Sequence, residues 1–202
     1  MATQLNFAQQ MDAVLKTLGD ARPRLLLHAC CGPCSSAVLE QLCQYFEITV
    51  LYYNPNTWPA EEYYRRGEEL KKFVAAAHPL GVTVVEDTYD PQEFYTAVQG
   101  LEAEPERGGR CTVCYRLRMR RAAQYAAEHG FDWFTTTLSI SPHKDAAGLL
   151  RVRVQRKGQR NRKVLMEQMP LKKKVAKPAL RRPVLCCSMM FLDFSRKGLF
   201  LP

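Results

Sequence analysis

Three of the chain's eight cysteines fall within five residues in the segment Leu25-Leu26-Leu27-His28-Ala29-Cys30-Cys31-Gly32-Pro33-Cys34-Ser35. A second pair, Cys111 and Cys114, begins eighty residues after Cys31 with Thr112 and Val113 between its members. Four or five thiolates brought together by a fold can hold a soft metal centre, because polarisable sulfur bonds to zinc, copper(I) or iron–sulfur groups in preference to magnesium or calcium. A structural zinc site usually consists of two tight Cys-x-x-Cys knuckles in a small module. Here the first group is a vicinal pair closing an apolar run, which reads as the end of a strand in a sizeable α/β domain. That is where active sites sit in such folds.

Each cysteine also has a plainer reading. A lone buried cysteine is usually inert packing, and Cys43, among Leu39, Leu42 and Phe46, is expected to be core filler. Three thiols around Gly32 and Pro33 are harder to explain that way. The amides of a helix N-terminus would favour their thiolate forms. Cys31-Gly32-Pro33-Cys34 also has the spacing of a thioredoxin-like redox pair, a reading that leaves Cys30 and the downstream pair without a role.

Other groups could serve such a centre. Arg116, Arg118, Arg120 and Arg121 follow Cys114 on one segment, to face either solvent or an anion such as RNA phosphate or a metal cluster. Tyr52-Tyr53-Asn54-Pro55-Asn56 and Glu62-Tyr63-Tyr64-Arg65-Arg66 combine aromatics that look exposed with amides and cations; aromatic faces can stack on unpaired bases, whereas core and rim packing accounts for most tyrosines. Thr135-Thr136-Thr137-Leu138-Ser139-Ile140-Ser141-Pro142-His143-Lys144-Asp145 carries hydroxyls into a His-Lys-Asp helix start, suited to phosphate binding, proton donation or ordinary capping by Ser141.

The elements that must position these groups follow from periodicity. Apolar spacing predicts helices over 7–19, 35–46, 61–77, from 91 to about 99, and over 112–129. Short β-branched or apolar runs predict strands at 25–29, 48–53, 82–86 and 133–138. Strands alternating with helices imply an α/β fold: a doubly wound, mainly parallel sheet with flanking helices. Cys30, Cys31, Asn54 and Ser139 would then converge at strand carboxyl ends. A domain over 1–148 is expected to carry the site, followed by a poorly defined basic tail over 149–202.

At 202 residues and 47% hydrophobic, the chain can bury one good core. It has no apolar run of the roughly 20 residues a membrane span needs and no signal-like start, so a cytoplasmic protein is expected, where cysteines point to metal or redox chemistry. The net charge of +9 is uneven. Residues 1–150 hold 14 Lys/Arg against 18 Asp/Glu, whereas 151–182 hold 13 against Glu167 alone. The globular part is slightly acidic, so the charge does not mark it as a nucleic-acid-binding globule.

The segments His28–Cys34, Tyr53–Asn56, Glu61–Tyr63, Gly109–Arg118 and Phe134–Asp145 together resemble the QueH-type epoxyqueuosine reductases, over about residues 20–148. The resemblance implies reduction of the epoxide of epoxyqueuosine to the alkene of queuosine at the wobble base of tRNA. It also implies a [4Fe–4S] cluster on Cys30, Cys31, Cys111 and Cys114. An additional iron beside the cluster belongs to the family picture, with Cys34, where some relatives have aspartate, as its candidate ligand. No GxGxxG-type fingerprint for a nucleotide donor is present, so electrons are expected from an external carrier such as a ferredoxin. The alternatives are a thiol-disulfide oxidoreductase using Cys31 and Cys34, and a zinc-stabilised RNA-binding module.

The tail departs from the family, whose members continue with a Lys-Lys-x-Gly-Gly-type segment and a redox-active Cys-Gly-Cys. Here Cys186 and Cys187, the candidate catalytic thiols beside Cys34, are adjacent. Read two nucleotides out of frame, Pro170–Leu180 can encode Phe-Lys-Lys-Lys-Gly-Gly-Gln-Ala-Arg-Ser, which suggests a shifted reading frame from near residue 148. The tail's basicity would then be incidental rather than that of an RNA-binding arm.

Overall fold

A computed structural model describes residues 14–78, 81–140, 167–170 and 188–193, with side chains over 14–78 and 81–138. The order is β1 (Arg24–Ala29), α1 (Gly32–Leu42), β2 (Glu47–Tyr52), α2 (Ala60–Ala77), β3 (Val82–Glu86), α3 (Pro91–Ala97), α4 (Gly109–Glu128), β4 (Trp133–Thr136), a 3-10 turn (Thr137–Ile140), β5 (Glu167–Pro170) and β6 (Ser188–Asp193). Residues 14–18 are helical, and the rest of the helix expected over 7–19 lies outside the described residues.

Four strands run parallel in the order β3-β2-β1-β4, with Leu26 opposite both Thr49 and Phe134. A strand buried on both faces needs a continuous apolar run, and Leu25, Leu26 and Leu27 are all fully buried. The pleat sends them to opposite sides. Leu26 joins Leu51, Tyr115, Met119, Ala122 and Phe134 on the α4 face. Leu25 and Leu27 join Val38, Leu39, Val50, Tyr52, Leu70 and Val74 on the face covered by α1 and α2.

The chain winds outward from β1 through β2 to β3, then returns to the other side of β1 for β4. Strand order therefore reverses between β1 and β4, and the carboxyl ends at such a switch form the usual ligand crevice. Among the described residues, no helix is long and apolar enough to cross a membrane.

Several boundaries move from their expected places for local reasons. Helix α1 starts at Gly32 rather than at 35, because Pro33 in the first turn has the helical φ already set and lacks only an N–H that would be unpaired there. It ends at Leu42 rather than at 46. Helix α4 begins at Gly109, whose N–H donates to Glu104 Oε2 at 3.0 Å, so a carboxylate from the preceding loop caps it. Strand β4 stops at Thr136, whose hydroxyl accepts from the Leu138 N–H at 3.1 Å as the chain turns.

One departure is larger. The sequence predicts no strand beyond the one over 133–138, yet β6 pairs antiparallel with β4, Phe134 opposite Leu192, and β5 pairs antiparallel with β6. An open edge at β4 presents unpaired N–H and C=O groups that a further strand satisfies. The sheet is thus mainly parallel, with two antiparallel strands beyond β4.

Candidate metal centre

Cys30 and Cys31 leave the sheet at the end of β1. Cys31 is the residue before α1, in extended backbone (φ −170, ψ 167), and Cys34 lies in the first turn of the helix. The sulfurs of Cys30, Cys31 and Cys34 all lie within 4.8 Å of one another and are partly exposed. Cys30 and Cys31 are 3.8 Å apart at sulfur. Two thiolates on one tetrahedral ion, at about 2.3 Å each, would stand about 3.8 Å apart. The Cys30 N–H donates to Thr137 Oγ1 at 3.3 Å, and that hydroxyl is 3.6 Å from Cys30 Sγ. The trio therefore sits between the ends of β1 and β4, at the switch point.

Close sulfurs resist ionising together. The Cys34 thiol is pushed far above its ordinary range, first by hydrogen bonding with Cys30 and then by Cys31 and burial. Cys31 is raised too, chiefly by Cys30, against a lowering contact with Cys34. A bound cation would remove that opposition by neutralising the shared negative charge.

The second pair comes from α4. Residues Cys111, Cys114, Tyr115, Arg118, Met119 and Ala122 follow the i, i+3, i+4, i+7 spacing of one helix face, and from Cys114 onward these are buried. The loop before the helix turns through Arg107 at φ 71 and aims that residue's N–H at Cys111 Sγ, 3.3 Å away. Cys30 and Cys111 both pack against the α4-side core cluster. Two segments distant in sequence thus bring thiols to one side of the sheet. Cys111 and Cys114 are not in the tight trio, and a cluster that binds each cysteine to a different iron needs wider spacing than one ion does.

Asn54 lies at the end of β2, but its amide is consumed within the protein. Nδ2 donates to the Ala29 carbonyl at 3.0 Å, and Oδ1 accepts from the Arg118 guanidinium. It ties the end of β2 to the end of β1 and to α4. His28 is fully buried, bonded at 2.9 Å to Thr136 Oγ1 and at 2.9 Å to the Tyr53 carbonyl, which ties β1 to β4 and to the end of β2. Of Ser139 only the backbone is described, in the 3-10 turn.

The four arginines separate cleanly. Arg116 and Arg120 face solvent, and Arg121 pairs with Asp87. Arg118 is 4% exposed and, among the described residues, its Nε has no partner. A buried cation whose one hydrogen bond among those residues is to a neutral amide is what an anionic group nearby would complete. With the soft sulfur donors, this orphan nitrogen makes the residues present a fit for a thiolate-bound metal group. Spacing had not distinguished Arg118; its place on the Cys111–Cys114 face was the available signal.

The tyrosines follow the core-packing reading rather than the stacking one. Tyr52, Tyr53 and Tyr63 are buried core residues, their hydroxyls bonded to Tyr63 O, Glu93 and Asp87 O, because the sheet and α2 enclose them. Tyr64 alone of that set is exposed. Arg65 and Arg66 pair with Glu62. Cys43 packs beside the α1–α2 cluster, as expected of core filler. Ser141, His143, Lys144, Asp145, Cys186 and Cys187 lie outside the described residues.

Fold and site together define a class: a doubly wound α/β protein with a cysteine centre at the carboxyl ends of its parallel strands. The family described as "Epoxyqueuosine reductase QueH" matches residues 25–179, and the chain belongs to that family. The match continues past residue 148. Relatives named "Epoxyqueuosine reductase QueH" include one from Streptococcus pyogenes serotype M1, 42% identical over 148 residues, covering 71% of this chain and 58% of the relative. Another, from Haemophilus influenzae, is 45% identical over 129 residues, covering 63% and 51%. A third, from Histophilus somni, is 45% identical over 123 residues, covering 60% and 49%. The chain spans about half the length of these curated relatives.

Proposed function

We propose that this protein reduces epoxyqueuosine to queuosine at the wobble position of tRNA, with an iron–sulfur centre held by Cys30, Cys31, Cys111 and Cys114. The observation that carries the reading is that Cys30, at the sheet's switch point, and Cys111, on α4, pack against one core cluster in a chain of the QueH family. Converting an epoxide to an alkene breaks both C–O bonds and consumes two electrons and two protons, releasing the oxygen as water. When bound, the metal centre supplies electrons and a Lewis acid for the epoxide oxygen.

The chain's own residues hold and orient that centre. Thr137 fixes Cys30, and Asn54 fixes Ala29 just before it. The Arg107 N–H fixes Cys111. Cys34, within 4.8 Å of Cys30 and Cys31, is the proposed ligand of an additional iron. The same close trio favours a second reading, a single ion such as zinc on these three sulfurs. Cys186 and Cys187 are proposed as a redox pair in the tail over 149–202, with residues 1–148 carrying the metal centre. The electron donor would be an external carrier of the ferredoxin kind, and the tRNA substrate places the protein in the cytoplasm.

Anaerobic purification with iron and acid-labile sulfide analysis, followed by mass spectrometry of nucleosides from epoxyqueuosine-containing tRNA, tests the proposal. Iron with sulfide and conversion to queuosine are expected. Zinc without iron would move the assignment to the second reading, and a metal-free, colourless protein would refute both.

A further inference from the structure

We infer that Arg118 is the fixed counter-charge of the thiolate metal centre and sets its reduction potential. The inference rests on the proposed iron–sulfur reading and assigns this residue a role within it.

Arg118 is buried and carries a permanent positive charge. Arg121 meets Asp87 and Arg66 meets Glu62. Arg118, by contrast, forms no ion pair among the described residues; its hydrogen bond goes to neutral Asn54, and Nε is left over. Burying a cation without an anion is strongly unfavourable. The compensating charge must therefore come from something close.

Geometry says what is close. Helical side chains lean toward the N-terminus, over the preceding turn. For Arg118 that turn begins at Cys114, with Cys111 one further step along the same face. On the other side, Asn54 joins the guanidinium to the Ala29 carbonyl, one residue before Cys30. The guanidinium is thus tied to both stretches that carry the thiols. Among the described residues, the cysteine sulfurs of these two stretches are groups able to become anionic together, and they do so on binding metal.

Four thiolates on a [4Fe–4S] core give a negative group, and accepting one electron from an external carrier makes it more negative, with no bond formed or broken. A fixed positive charge stabilises the reduced state more than the oxidised one, so it raises the potential. Net charge and hydrogen bonding around the sulfurs are among the main determinants of that potential.

The test uses the full chain, purified anaerobically with its iron, as wild type, Arg118→Gln, Arg118→Lys and Asn54→Ala, each followed by EPR-monitored redox titration. Arg118→Gln is expected to keep its iron and shift the reduced-to-oxidised ratio at fixed potential at least tenfold toward oxidised, which is 59 mV for one electron. Arg118→Lys should recover most of that shift, and Asn54→Ala, which keeps the charge, should lie closer to wild type than Arg118→Gln. If Arg118→Gln loses iron while Arg118→Lys retains it, the charge is again shown to be required. An unchanged potential in Arg118→Gln would overturn the inference, as would equal displacement or equal iron loss in Arg118→Gln and Arg118→Lys. Absence of iron from the wild type would instead overturn the underlying functional reading.

Discussion

The guanidinium of Arg118 on α4 donates to Oδ1 of Asn54 at the end of β2, and Asn54 in turn donates to the Ala29 carbonyl at the end of β1. Three elements meet through one amide that is 2% exposed. An asparagine has both a donor and an acceptor at one end, so it can satisfy a carbonyl and a cation at once. No apolar residue of similar size could. The consequence is that the position of Cys30 depends on a side chain from β2 and another from α4.

Replacing Asn54 by Leu should therefore destabilise the fold well beyond the loss of one contact. It leaves a buried carbonyl and a buried guanidinium unsatisfied, at about 1–3 kcal/mol each. Urea unfolding of metal-free protein should show a loss of about 2–6 kcal/mol with an unchanged slope. A loss within about 0.5 kcal/mol, the usual range for surface changes, would mean the network carries no weight.

Cys111→Ser should abolish iron–sulfur incorporation while leaving the far-ultraviolet circular dichroism intact, since the residue is only partly buried. Cys43→Ser, at a thiol packed beside the α1–α2 cluster, should leave metal content unchanged. Equal iron in wild type and Cys111→Ser would remove Cys111 from the ligand set.

Thiol reactivity in the metal-free protein should depend on pH in a defined direction. A raised pKa keeps a thiol protonated, and unreactive, until the pH exceeds it. Cys34, raised by hydrogen bonding with Cys30 and Cys31 and by burial, should resist alkylation at neutral pH and react only well into the alkaline range. Peptide mapping after timed iodoacetamide treatment would reveal this, and preferential labelling of Cys34 at neutral pH would contradict it.

Two glycines should respond differently to alanine. A Cβ at Gly67 would lie 3.1 Å from the buried Tyr52 ring, whose hydroxyl is tied to Tyr63 O. Overpacking of this kind costs about 1–3 kcal/mol. A Cβ at Gly32 would meet Phe73 Cβ at 3.7 Å, ordinary contact, so Gly32→Ala should unfold close to wild type. Thermal or urea melts of the two variants decide the matter.

Much of the framework was legible in the chain. The run Leu25–Ala29 and the β-branched strands expected at 48–53 and 82–86 carry their own period, and β3 lies at Val82–Glu86 as expected. Boundaries fixed by single turns were harder. Helix α4 starts where a carboxylate five residues earlier reaches Gly109, a contact no periodicity encodes. Strands β5 and β6 were missed because their pairing depends on the open edge of β4, which exists only once the sheet has formed.

By itself the sequence determined the chemistry on offer and the order of its carriers: soft sulfur in two groups, each beside a strand end or helix start, and the alternating elements that bring strand ends to one side. Spacing along a chain is a local property, so faces and ends can be read from it. Tertiary structure alone decided what stands opposite each face. It buried Tyr52, Tyr53 and Tyr63, consumed the amide of Asn54, and chose Arg118 from four arginines. Burial and unpaired charge arise from contacts between segments far apart in sequence, and those exist only when the chain is folded.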